Sequence, residues 1–188
     1  MIMPEPTNVI LSAIDIKKLY YCDPSLVSAD LTEAAVKALL ANQGVKELIN
    51  VHQDTWTIEE TEASQESYRN QLNGEVYRKG KKQMGDLNFN FTLGQYDYPT
   101  KAAFLGGTAT ATSWKRARGA VDIHMCLIAL TDDDQYAILP YASIAGRENT
   151  TDGAVGLPVA GSMVSPKTAA IAPEYWFDKA AVDAANAG

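Results

Sequence analysis

Residues 85 to 98 constrain this chain more than any other stretch. Leu87, Phe89, Phe91 and Leu93 alternate with Asn88, Asn90 and Thr92. A β-strand turns successive side chains to opposite faces. This spacing therefore sets four large apolar groups on one face, expected to anchor a core, and uncharged polar groups on the other. The period then breaks. Pro99 to Leu105 reads as a short helix, with Asp97 or Tyr98 at its cap, Pro99 in its first turn and Gly106 as its stop.

A chain of 188 residues is long enough for one domain that buries roughly 70% of its unfolded surface. Its formal net charge is -7. A sequence-independent nucleic-acid binder needs an excess of Lys and Arg to displace counterions, so that class is disfavoured. A protein that lets DNA pass without sticking is not. The start, Met1 to Pro6, lacks the basic residues and long apolar run of a secretory leader, so none is expected. The longest apolar run, Met125 to Leu130, falls far short of the ~20 residues that span a bilayer, so no membrane partner is expected. Cys22 and Cys126 lie far apart. Cys126 sits in an apolar strand pattern, where cysteine acts as a small hydrophobe. A disulfide framework is not expected, and an intracellular folding environment is.

Residues 1–30 read as an N-terminal arm with at most one strand, at Val9–Leu11 or Ile14–Ile16. Asp30 to Glu33 resembles a capping box that starts a helix. That helix runs to about Asn42, with Gly44 as a left-handed stop. Leu31, Ala35, Ala38 and Leu39, widened by Val36 and Leu40, form the apolar stripe of a helix lying on a sheet. Strand patterns follow from Val45 to Glu59. Glu59, Glu60, Glu62 and Glu66 then precede Arg69, Arg78, Lys79, Lys81 and Lys82. Two solvated faces explain this segregation; so does complementarity between neighbouring subunits.

Asn73-Gly74 is the strongest hairpin signal in the chain. A two-residue turn pairs Leu72 with Glu75, Gln71 with Val76, Asn70 with Tyr77 and Arg69 with Arg78. Neither face of that ribbon is apolar throughout, and an isolated two-stranded ribbon is marginal in water. Residues 68–82 are therefore not core. The pattern fits a projecting arm and a mobile surface loop equally.

Trp114 anchors a loop ahead of basic Lys115, Arg116 and Arg118. Ala120 to Thr131 forms a strongly apolar strand, Asp132 to Asp134 a turn, and Gln135 to Ala145 the returning strand. Val155, Leu157, Val159 and Met163 mark the last one, where Pro158 implies an edge or a bulge. Residues 167–188 read as a C-terminal tail with an aromatic patch at Tyr175–Phe177. The fold class is mainly β with a flanking α-helix: a β-sandwich or partly closed barrel over 31–166.

Searches for chemistry fail in turn. His52 and His124 are far apart, and no Cys or His pair has zinc spacing. His124 and Cys126 share a strand face, where a structural histidine is expected rather than a catalytic dyad. Asp132 to Asp134 lacks the glycine and distal glutamate of a calcium loop. Gly106-Gly107 is no phosphate loop. No enzyme, cofactor or metal is expected.

The runs Tyr68–Arg78, Gly85–Tyr98 and Lys101–Gly107, the hairpin Cys126–Thr131 to Tyr136–Pro140, and Thr151–Leu157 together resemble the major tail tube proteins of tailed bacteriophages. The likeness covers about two thirds of the chain, from Thr57 to about Pro166. It implies a tail-tube-like fold with no active site, in subunits that form hexameric rings. The rings stack into a tube through which DNA passes without specific binding. It also implies a virion location in the phage tail, after synthesis in the host cytoplasm, with tape-measure and tail terminator proteins as further partners. Residues 68–82 would be the inter-subunit arm: Tyr68, Arg69, Leu72, Asn73, Gly74, Val76, Tyr77, Arg78, Lys79, Lys81 and Lys82. The alternatives are a tube of a contractile injection or secretion device, a minor tail or connector protein, and a ligand-binding or enzymatic β-sandwich.

Overall fold

A computed structural model describes residues 8–12 and 15–186. Expectations that fall on residues 1–7, 13, 14, 187 and 188 lie outside the described residues. In chain order the strands are β1 (Ile16–Cys22), β2 (Lys46–Glu47), β3 (Thr57–Glu60), β4 (Ser67–Arg69), β5 (Val76–Lys79), β6 (Leu87–Leu93) and β7 (Thr108–Ala109). They continue with β8 (Trp114–Lys115), β9 (Ile123–Thr131), β10 (Gln135–Gly146), β11 (Asn149–Thr151), β12 (Ala154–Met163) and β13 (Tyr175–Asp178). The helices are α1 (Glu33–Leu40), α2 (Tyr98–Leu105) and α3 (Lys179–Ala184), with a 3-10 turn at Pro24–Leu26.

The fold is mainly β. One antiparallel sheet runs β2-β1-β9-β10-β12-β6-β3, with β13 beside the first half of β10 and β11 beside the start of β12. Its terminal strands, β2 and β3, belong to one stretch of chain. That stretch bonds to β1 at Leu48 and to β6 at His52, tying the two ends of the path together. β10 turns where its register against β9 shifts between Leu139 and Ala142. Pro140 lies in this bulge, where a residue without an N–H costs least. Before the bulge the other neighbour of β10 is β13; after it, β12.

The curl creates two cores. The larger lies inside it: Leu19 and Tyr21 from β1, Leu127 and Ala129 from β9, Leu157 and Val159 from β12, and all four apolar residues of β6. Phe104 enters from α2 and meets Tyr21 and Phe91, with ring centroids 5.0 and 5.9 Å away. Burying each such ring contributes about 1.5–3 kcal/mol relative to exposure. The smaller core lies outside, where Cys22, Cys126, Ile128, Leu130 and Ile138 pack under Val36 and Leu39 of α1 and Val182 of α3. Strands β1, β9, β13 and the first half of β10 are thus covered on both faces, whereas β3, β6 and β12 are covered on one.

Several boundaries differ from expectation. Within the expected N-terminal arm, Ile16–Cys22 is not separate from the domain, because β1 is an internal strand between β2 and β9. The aromatic patch of the C-terminal tail docks on the sheet, Trp176 on the larger core and Tyr175 and Phe177 on the smaller, and the Ala-rich end expected to be weakly ordered forms α3. Helix α1 starts at Thr32, whose hydroxyl accepts from Ala35 N, and ends at Leu40. Asp30 instead accepts from the Tyr175 hydroxyl. Gly44 has no left-handed backbone; its N–H bonds to the Asn42 side chain at 2.8 Å. Helix α2 follows its sequence signals. Asp97 accepts from Thr100 N at 2.8 Å, and Gly106 ends the helix at φ 73°. Pro158 lies opposite the gap between the β10 and β11 ladders, which suits its missing donor.

Candidate assembly surface

The stretch between β3 and β6 leaves the sheet as a hairpin. At its base Thr61 N donates to Asp86 O at 3.1 Å, and Asp86 N donates to Thr61 Oγ1 at 2.8 Å. The limbs cross so closely there that a Cβ on Gly85 would lie 1.6 Å from Thr61 O. Only glycine fits, a constraint that residue identity alone did not announce. Further out, Ser64 pairs with Gln83, Gly80 N bonds to Glu66 O at 2.9 Å, and β4 pairs with β5. Residues 62–70, at about 3.3 Å per residue, reach up to ~30 Å from the base.

The register differs from the two-residue turn. A bulge between Tyr68 and Arg69 places Arg69 opposite Val76 and Tyr68 opposite Arg78. The loop is wider, with Asn70 N bonded to Glu75 O and Gly74 N to Asn70 O. Gly74 takes φ 73°, which suits glycine. The shift separates the two arginines that a tight turn sets face to face, and like charges so placed repel. Arg78 then lies over the Tyr68 ring at 5.8 Å, and Arg69 Nη1 donates to Gly74 O at 3.0 Å.

The hairpin brings the proposed arm residues together and leaves them in solvent. Tyr68 and Arg69 lie on β4, Val76 to Lys79 on β5, Leu72 to Gly74 at the tip, and Lys81 and Lys82 on the returning limb. From Glu59 to Met84 only Asn70 and Gly80 are even half-buried. Leu72 is 94% exposed and Tyr77 69%. Glu60, Glu62 and Glu66 lie along the outgoing limb; Lys79, Lys81 and Lys82 lie along the returning one. Among the described residues, none of these charged groups is in an ion pair within the chain.

Beyond the hairpin base, β6 presents the polar face that the alternation required. Asn90 Nδ2 donates to Thr57 Oγ1 at 3.1 Å, and Asn88 accepts from the Ser162 hydroxyl. Nearby, Lys101 Nζ lies 4.3 Å from the Trp114 ring centre and Arg116 5.3 Å from it. Both cations pair with Glu148. The bond from Lys101, then Arg116, holds the Glu148 carboxyl below its usual value.

An open groove of about 520 Å³ lies on the outer sheet face and includes Asp23, His124, Pro140, Tyr141 and Lys167. His124 stacks on Tyr141, with ring centres 4.7 Å apart at 14°. Asp23 caps the 3-10 turn by accepting from Ser25 N at 2.8 Å, and hydrogen bonds from the Ser25 side chain and then its backbone hold the carboxyl below the usual range. Cys126 shares the strand face of His124 but has Cys22 as its cross-strand partner. His52 Nε2 lies 2.7 Å from Asp152 Oδ2 instead of near His124. Among the described residues, no cluster of three His, Cys, Asp or Glu is placed to hold a metal ion, and no helix is long and apolar enough to cross a membrane. The chain matches no protein-family model and no curated protein sequence.

Proposed function

We propose that this chain is the structural subunit of a phage tail tube. Copies assemble into hexameric rings, the rings stack, and DNA passes through the lumen without specific binding. The observation that carries this reading is the exposed hairpin. It combines a firmly tied base, an exposed leucine at its tip and two oppositely charged limbs without ion pairs inside the chain. Such a ribbon gains little by folding alone. Laid on a neighbouring subunit, residues 61–84 supply about the 20–30 residues per side of a standard protein interface. Among the described residues the outer edge of β3 pairs with no other strand, and it offers a second contact, because exposed strand edges pair readily with other chains. Repetition of one head-to-tail contact closes a ring or extends a filament. A net charge of -7 per subunit repels phosphate and keeps DNA mobile. Tape-measure and terminator proteins are the further partners of this reading.

The groove at His124 favours a second reading, a small-ligand-binding domain. Electron microscopy of concentrated protein separates the two. Rings or tubes support the subunit; single particles at every salt and protein concentration, with a ligand held at His124, support the domain.

A further inference from the structure

The sheet brings together the chain's two cysteines, an encounter their sequence spacing gives no sign of. Cys22 and Cys126 are register partners across β1 and β9, and both side chains enter the outer core. Both are free thiols. Directly opposed residues of an antiparallel pair have Cα atoms about 4.5 or 5.5 Å apart. Either separation falls within the roughly 4.4–6.8 Å that a disulfide spans. Opposed Cβ atoms stand about 4.5–5.5 Å apart, wider than the ~3.8 Å mean of disulfides. The bond therefore closes with a small inward shift of the two strands. Cys22 is 3% exposed, Cys126 is fully buried and neither lines the groove, so the oxidant reaches them only when the packing over them opens. Val27 and Ile171 belong both to this outer core and to the open groove, and the groove also holds Asp23, the neighbour of Cys22.

We propose that Cys22 and Cys126 form a reversible modification site, a cross-strand disulfide made by exchange with a small disulfide of the glutathione class that enters by the groove. Cys22 is the attacking sulfur. The Cys126 thiol donates to it and holds its pKa down, whereas that bond and burial push the Cys126 thiol up. The Cys22 thiolate attacks one sulfur of the oxidant, whose S–S bond breaks, and one thiolate leaves. Cys126 gives its proton to that thiolate, attacks Cys22 Sγ and displaces the second thiolate. The protein loses two electrons and two protons, that of Cys22 to water and that of Cys126 to the first thiolate; the second thiolate takes its proton from water, so the oxidant becomes two thiols. The new bond encloses the whole stretch from the 3-10 turn to β9, hairpin included. It restricts the unfolded chain and raises the melting temperature by on the order of 10 °C.

The test treats the folded, full-length protein with oxidised glutathione, then maps alkylated peptides without reduction. The expected product is one intramolecular Cys22–Cys126 peptide that dithiothreitol reverses, with a higher melting temperature. C126S should stop at a glutathione adduct on Cys22, and C22S should gain far less adduct. The proposal is overturned if both wild-type thiols stay alkylatable under conditions that oxidise the urea-unfolded chain. Disulfides between chains in place of the internal one would overturn it equally. Wild-type mapping decides the matter even where a variant fails to fold.

Discussion

Replacing Phe91 by alanine empties the centre of the larger core. The ring is 2% exposed and lies 5.9 Å from Phe104 at 83° and 6.4 Å from Trp56. Truncation of a buried phenylalanine costs about 3–5 kcal/mol, from lost transfer energy and the cavity left behind. The two aromatic pairs supply roughly 0.5–1.5 kcal/mol each within that sum. A domain of this size loses about 2–4 °C per kcal/mol, so its melting temperature should fall by roughly 6–20 °C. Leu72, 94% exposed at the hairpin tip, is the control. Leu72→Ala should change stability by no more than about 0.5 kcal/mol. Urea denaturation followed by tryptophan emission reads both at dilute concentration, with Trp56 reporting from beside the cavity. Equal shifts in the two variants, or a Phe91→Ala cost below about 1 kcal/mol, would refute the assignment of core and arm.

Gly85→Ala forces the two hairpin limbs apart, because its Cβ would overlap Thr61 O. Limited trypsin digestion should then cut faster at Arg78, Lys79, Lys81 and Lys82, while the sheet keeps its circular dichroism; unchanged cleavage rates would contradict the tight base. Glu148→Gln removes the anion between Lys101 and Arg116, a partly exposed site worth about 0.5–1 kcal/mol. The folded-state pKa of Glu148 is depressed, so its contribution is complete above the ordinary value of 4.5 and fades as pH falls through the folded value. Wild type should therefore outlast the variant in melts at pH 7, and the gap should close in acid. A gap that widens in acid would reverse the sign of this reasoning.

The sequence made one-sided elements legible. Strand β6 has one wet face, so Phe89 and Phe91 alternate visibly with Asn88 and Asn90. Helix α2 carries its own start and stop, because Asp97 and Gly106 act on the backbone beside them. Two-sided strands were less readable. Leu19 and Tyr21 face one core while Tyr20 and Cys22 face the other, so no period of two survives in β1. Tyr175, Trp176 and Phe177 hide β13 in the same way and read only as an aromatic patch. Local caps were misread where competition decides them. Asp30 is taken by the Tyr175 hydroxyl from the far end of the chain, which leaves the cap to Thr32. The hairpin was visible in Asn73-Gly74, but its register was set by the bulge at Tyr68 and Arg69, for which the turn residues carry no signal.

Sedimentation velocity of wild type and of a chain lacking residues 64–83 tests the central claim most directly. The deletion spares β3, β6 and both cores, so its melting temperature should match wild type. Wild type should sediment as rings and tubes with rising concentration, and the deletion as a monomer throughout. A wild type that stays monomeric at every concentration and salt, or a deletion that assembles as fully as wild type, would contradict it.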